Sequence, residues 1–204
     1  MIEKLHDLGK IKLVQLQPSG LIIETPSGYF YDASRRVEVN QLWITAKGIE
    51  ATTPGGKQLF DIHHLDHPDK AYDDDDLICI GFTSHYDAMR AYFGDHMVDG
   101  IAGENIIIEY DQEVWEADLG KQIAIENAET GQMTIMDLVS FAAPCDEFSH
   151  FAALSQHERL PAPELKATLQ FLNKGRRGFL LVMQEGQAAA TVRPGDQVFS
   201  VKTT

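Results

Sequence analysis

Residues 140–151, SFAAPCDEFSHF, hold one of two cysteines in this 204-residue chain. Pro144 and the acids at 146 and 147 mark the start of a helix. The free N–H groups of a helix end favour a thiolate, the form that attacks electrophiles and binds soft metals. That help amounts to about 0.3–1 kcal/mol when exposed and roughly 2 when partly buried, and Asp146 and Glu147 oppose it. From the residues alone, Cys145 is either a reactive thiol or a small apolar side chain in the core. Cys79, inside LICIGF with apolar neighbours on both sides, reads as packed.

Three other stretches carry candidate chemistry. In NKGRRG, Lys174, Arg176 and Arg177 crowd around two glycines between a helix and a strand. Guanidinium forks bind phosphate bidentately and glycines admit a ligand close to the backbone; the same residues also suit the negative end of a helix dipole. In DIHHLDHPDK, His63, His64 and His67 lie among Asp61, Asp66 and Asp69, a metal-ligand set if the backbone lets the rings converge and an ordinary loop otherwise. In DGIAGENIIIE, a glycine turn delivers Glu104 and Asn105 into a strand, where Asn105 can serve the backbone alone. The run Asp73 to Asp76 lacks the glycine and terminal glutamate of a calcium loop and reads as a solvated turn. No phosphate loop, Gly-x-Ser-x-Gly or Gly-x-Gly-x-x-Gly occurs.

With 17 basic and 31 acidic residues the formal charge is −14, which opposes attraction to nucleic acid or an anionic membrane. An anionic small molecule remains compatible, because exposed charges are screened beyond about 8 Å and a local basic cluster prevails at short range. No apolar run approaches the roughly 20 residues of a membrane span, and MIEKLHDLGKIKL lacks the features of a secretory leader. The expected location is the cytoplasm, where both cysteines stay thiols.

The elements that must position these groups are mostly strands. QPSG, TPSG and TPGG cut the first third into short apolar segments, namely KIKLVQLQ, LIIET, YFYDA, VEVNQLWIT and KQLFDIH. LICIGF, ENIIIEY, GKQIAIENA, GQMTIMDLVSFA, RGFLLVMQEG and AAATVRPGDQVFSV continue the pattern. Helices are expected over TSHYDAMRAYFGDHM, with Thr83 or Ser84 as N-cap, over DEFSHFAAL, and over PELKATLQFLN. The expected fold is mainly β, a barrel with about three peripheral helices, forming a single domain over 1–204.

In this order, HPDKA (67–71), AGENI (102–106), VWEADLGKQIAI (114–125), PCDEF (144–148), GRRGFLLVMQEG (175–186) and VRPGDQV (192–198) resemble the MOSC domain, named after the C-terminal part of molybdenum-cofactor sulfurases. The resemblance spans about residues 60–200. It implies a MOSC-type β-barrel that binds the molybdenum cofactor (molybdopterin) or carries sulfur on a cysteine, as a cofactor-dependent reductase or a sulfur transferase. Cys145 would then be a persulfide carrier or a molybdenum ligand. Lys70, Glu104, Asn105, Lys174, Arg176 and Arg177 would line the cofactor site, with His64 and His67 as further metal candidates. The partners implied are an anionic cofactor or substrate and a redox or sulfur-donor protein. Two positions depart from the family pattern: Leu65-Asp66-His67 stands where many members have His-Gly-Gly, and Ala142 where others carry an arginine that would contact phosphate. Two rival readings follow from the residues: a non-catalytic barrel that binds an anionic small molecule or a protein, and a metal protein built on His63, His64 and His67.

Overall fold

The computed structural model describes residues 3–53, 55–70, 75–154, 159–184 and 186–203. The chain opens with a long strand, β1 (Glu3–Leu16), then a hairpin of β2 (Ile22–Thr25) and β3 (Gly28–Tyr31). Next come β4 (Val37–Val39), β5 (Leu42–Thr45), β6 (Gly48–Thr52), β7 (Gln58–Phe60) and β8 (Ile78–Phe82). Helix α1 (Thr83–Phe93) leads to β9 (Ile106–Glu109), the one-turn α2 (Glu116–Leu119), β10 (Gln122–Glu126) and β11 (Met133–Phe141). Two helices, α3 (Asp146–Leu154) and α4 (Ala162–Leu172), precede β12 (Phe179–Met183), β13 (Ala190–Val192) and β14 (Gln197–Thr203).

Seven strands close into a barrel in the order β14-β10-β11-β12-β8-β9-β1, shut by the pairing of β1 with β14. The pairs are antiparallel except β8–β9, where α1 carries the chain back to start a parallel neighbour. Closure depends on β1 serving two barrel neighbours in turn, β14 and β9. Its first residues, Glu3 to Asp7, run along β14, and from Lys10 onward it pairs with β9 and then β4. The register slips between Asp7 and Lys10, where Gly9 takes φ +94°, a bulge that bends the strand from one neighbour to the other. A second sheet, β13-β5-β6-β7, packs beside the barrel.

Strand β9 divides the core. Side chains alternate along a strand, so Ile106 and Ile108 point into the barrel while Ile107 faces the helices. Burial on both faces explains why this strand reads as an unbroken apolar run. The barrel interior includes Phe82, Ile123, Met136, Phe179 and Val198. The outer cluster joins Tyr31, Tyr86, Met89, Phe148, Ala152 and Leu172 from β3, α1, α3 and α4.

The expected barrel is present, with local differences. The segment 37–45 is two strands, β4 on β1 and β5 on β6. Strand β6 has no sequence signal because its tight hairpin, Thr45 to Gly48, turns through Ala46-Lys47 instead of an Asn-Gly pair. There are four α-helices among the described residues, α2 being too short to leave a periodicity. Neither Thr83 nor Ser84 caps α1. Their hydroxyls donate to the carbonyls of Tyr110 and Gln112 and so tie the helix to the chain after β9.

Phe82, fully buried and edge-on to Phe179 at 6.2 Å, sits where α1 leaves the barrel. Phe82→Ala is expected to lower unfolding free energy by about 3–5 kcal/mol in a urea titration. A change below about 1 kcal/mol would contradict its central place.

Candidate functional site

Cys145 lies at the start of α3, and its carbonyl accepts from the Ser149 amide at 3.1 Å and the Ser149 hydroxyl at 2.8 Å. The side chain is half-buried at the edge of the outer cluster. Arg177, at the entry to β12, directs Nη1 at its sulfur, 3.5 Å away. The same guanidinium lies 4.4 Å over the Phe148 ring and donates to the carbonyls of Ala102 at 3.0 Å and Ala143 at 3.3 Å. Its Nε is buried without a hydrogen-bond partner. Enclosure works against the charge of Arg177, yet Cys145, Tyr31, Glu104 and Cys79 around it outweigh that penalty and hold it more firmly protonated.

Glu104, in the turn ahead of β9, is 1% exposed. Its Oε2 accepts the Tyr86 hydroxyl at 2.5 Å, and Oε1 has no partner. The Tyr86 oxygen itself accepts the Ala102 amide at 3.1 Å, which commits the phenolic proton to Glu104. Two glycines make room for the carboxylate. A Cβ on Gly81 would meet Oε1 at 2.9 Å, and one on Gly178 would meet Cγ at 2.9 Å and the Cys79 sulfur at 2.8 Å. Burial pushes the Glu104 carboxyl up to about 7, with the Tyr86 hydroxyl, its own backbone amide, Arg177 and Arg36 pulling the other way. Burial also drives the Tyr31, Tyr86 and Cys79 protons on more tightly, in each case assisted by Glu104.

The other candidates disperse. Arg176 turns away from Arg177: it stacks on Phe171 at 4.2 Å and Trp115 at 5.1 Å, donates to the Phe171 carbonyl, and pairs with Glu113 at 3.0 Å. Lys174 is exposed on the outer turn, with φ +62°. Asn105 is structural. It accepts the Cys79 amide and donates to Asp61 at 2.8 Å, joining β8 to the loop after β7. The three histidines diverge. His63 Nδ1 meets Asp61 at 2.7 Å, while buried His64 stacks on Phe60 and accepts the Asp66 amide. His67 accepts the Asp69 amide and faces the Pro18 carbonyl. Among the described residues no three His, Cys, Asp or Glu side chains form a metal-ligand group. Lys70 closes a turn through its amide to the His67 carbonyl. Asp73 and Asp74 lie outside the described residues. Tyr31, Tyr86 and Phe148 complete the site, and they carry no sequence signal beyond apolar periodicity.

No protein-family model matches the sequence, and no curated protein matches it. The closed seven-strand barrel with helices packed over β9 is a MOSC-like fold. The chain is similar in structure to the YuaD protein from Bacillus subtilis, at TM-score 0.62 and 11% identity over 100% of both chains. A second solved structure, described as a hypothetical protein, gives TM-score 0.54 and 14% identity over 95% of this chain and 67% of that one. YiiM from Geobacillus stearothermophilus gives 0.49 and 13%, over 96% and 75%. No helix among the described residues is long and apolar enough to cross a membrane.

The raised carboxyl has a signed consequence for stability. Because Glu104 binds its proton more tightly when folded, its contribution is complete below its ordinary 4.5 and is lost as pH rises through about 7. Between about pH 5 and pH 8 the native chain should lose roughly 2–3 kcal/mol from this group, and Glu104→Gln should remove that slope in denaturant titrations across pH. An unchanged slope would show that the carboxyl is not held as described.

Proposed function

We propose that the chain is a thiol-based sulfur carrier in which Cys145 holds a sulfane sulfur as a persulfide and Arg177 stabilises the charge on it. One observation carries this reading: a half-buried thiol at a helix start with a guanidinium nitrogen 3.5 Å from its sulfur, in a chain of net charge −14. In the loading step the Cys145 thiolate attacks the outer sulfur of a donor persulfide, R–S–SH. The new S–S bond forms on Cys145 as the donor's S–S bond breaks, and the donor leaves as its thiolate; no net oxidation occurs. Arg177 offers a charge-assisted hydrogen bond to the anionic sulfur before and after transfer. Phe148 keeps water from one face of the guanidinium, which strengthens its field at the sulfur. The donor would be a persulfide-bearing protein or small molecule in a reducing compartment, the setting in which a free thiol persists.

The molybdenum cofactor that the resemblance implies fits the described residues less well. Cys145 is a soft ligand suited to molybdenum. The phosphate of a molybdopterin needs several converging donors, whereas Arg176 is engaged by Glu113, Lys174 stands on an outer turn, and position 142 is alanine. Glu104 and Asn105 are buried and occupied by protein partners. One thiol beside one cation suits a single sulfur better than an extended cofactor.

Incubation with a donor persulfide followed by intact-mass analysis should add 32 Da for one sulfur atom to the native chain, by about the arithmetic of the transfer. Cys145→Ser should abolish the addition while Cys79→Ser retains it, and Arg177→Gln should slow it about tenfold or more, the loss of one charge-assisted hydrogen bond. Loading that survives Cys145→Ser would refute the reading. A fluorescent pterin released on denaturation of the purified chain would favour the cofactor instead.

A further inference from the structure

On the Arg176 side of the entry to β12 lies a cavity of about 660 Å³, walled by Trp115, Glu116, Ala117, Phe141, Asn173 and Lys174. Its surface is mostly apolar, and its volume suits a small organic ligand. Three pieces of chain build it: α2 with the residue before it, the end of β11, and the turn after α4.

Trp115 is held in place from outside the cavity. His85, fully buried, lies 5.9 Å from its ring and accepts the Val114 amide at 3.2 Å. The Arg176 guanidinium lies 5.1 Å over the same ring and 4.2 Å over Phe171, while Glu113 takes its charge at 3.0 Å. The Trp115 amide donates to Asp118 at 2.9 Å. Phe141 is fixed by its pairing with Phe179. Both rings remain half-buried, so the cavity offers a ligand two aromatic surfaces that are already ordered.

The polar part of the wall is the turn after α4. Lys174 takes φ +62°, the one non-glycine in the left-handed region among the described residues. A side chain is disfavoured there, so this turn carries a lysine where a glycine would be less strained. The Lys174 amide donates to Asn173 Oδ1 at 2.8 Å, which holds the turn and leaves the Asn173 NH2 group as a donor. Among the described residues no hydrogen bond or ion pair engages the Lys174 ammonium. Glu116, exposed on α2, is the opposing charge on the wall.

We infer that this cavity binds a planar aromatic ring that carries one anionic group such as a carboxylate. The ring lies on Trp115 and against Phe141, since a flat indole face pairs best with a flat partner. The anion meets Lys174 and the Asn173 amide, and the unsubstituted end of the ring lies toward Glu116. The site takes no part in the sulfur chemistry of Cys145 and stands whether or not that chemistry does.

The test is a titration with 2-naphthoate, followed by the proton resonance of the Trp115 indole N–H. Only two tryptophans occur, and Trp43→Phe identifies which resonance is which. The Trp115 signal should shift and saturate with Kd at or below about 1 mM, the affinity that about thirteen non-hydrogen atoms give at ordinary ligand efficiency. Lys174→Gln should weaken binding about threefold and Glu116→Gln should tighten it about twofold, as expected for exposed charges. Ala117→Phe, at an exposed position, fills the cavity and should abolish the shift. Absence of saturation, or a shift that survives Ala117→Phe, would overturn the inference. Equal binding of decalin-2-carboxylate would refute the stacked ring, and tighter binding of 2-naphthylmethylammonium would refute the anion.

Discussion

A guanidinium taken out of water must be met by anions, dipoles or an aromatic face, and Arg177 has all three. Phe148 lies under its plane, the Ala102 and Ala143 carbonyls take its protons, and the Cys145 sulfur and Glu104 carboxyl supply negative character. These groups come from three pieces of chain. The turn before β9 brings Ala102 and Glu104, the segment after β11 brings Ala143 and Cys145, and α3 brings Phe148. Holding one cation thus ties three segments together and leaves the Cys145 sulfur beside a guanidinium.

The barrel makes such fixing affordable in entropy, since every segment at the site leaves or enters a paired strand. Glu104 precedes β9, Arg177 precedes β12, and the Cys145 segment follows β11, whose last residue pairs with the first of β12. The Ala142 amide donates to the Gly178 carbonyl and carries the pairing past the strand ends. Strand β8, paired on one side with β9 and on the other with β12, brings Cys79 and Gly81 beneath the same point. The site therefore stands where the two halves of the core meet, with barrel side chains on one face of β9 and helix side chains on the other.

Much of this was legible in the residues. The Pro-Gly turns and short apolar runs give a barrel of short strands, and Asp146 to Leu154 is the helix expected after Cys145. Hairpins without turn signatures and a one-turn helix were not legible, because local sequence says little when tertiary pairing fixes the backbone. Motifs of adjacent residues misled most. Arg176 and Arg177 share a motif yet serve opposite sides of the entry to β12, one against Trp115 and Phe171 and the other against Cys145. Glu104 and Asn105 part in the same way, as do His63 and His64. These pairs lie in turns and bends at the ends of strands, where successive side chains leave the backbone in different directions, so a dense motif rarely converges on one ligand.

The sequence by itself determined the class of fold, a net charge of −14, and the choice of Cys145 with a basic turn as the place to look. These depend on composition and local pattern, which the chain carries without folding. Tertiary structure alone decided which arginine meets the sulfur and which residues retire into scaffolding. It also decided that Glu104 would be buried against Tyr86 with one carboxyl oxygen unpartnered. Those outcomes depend on distances between segments far apart in the chain, and on the low polarity of an interior that exists only once the barrel has closed.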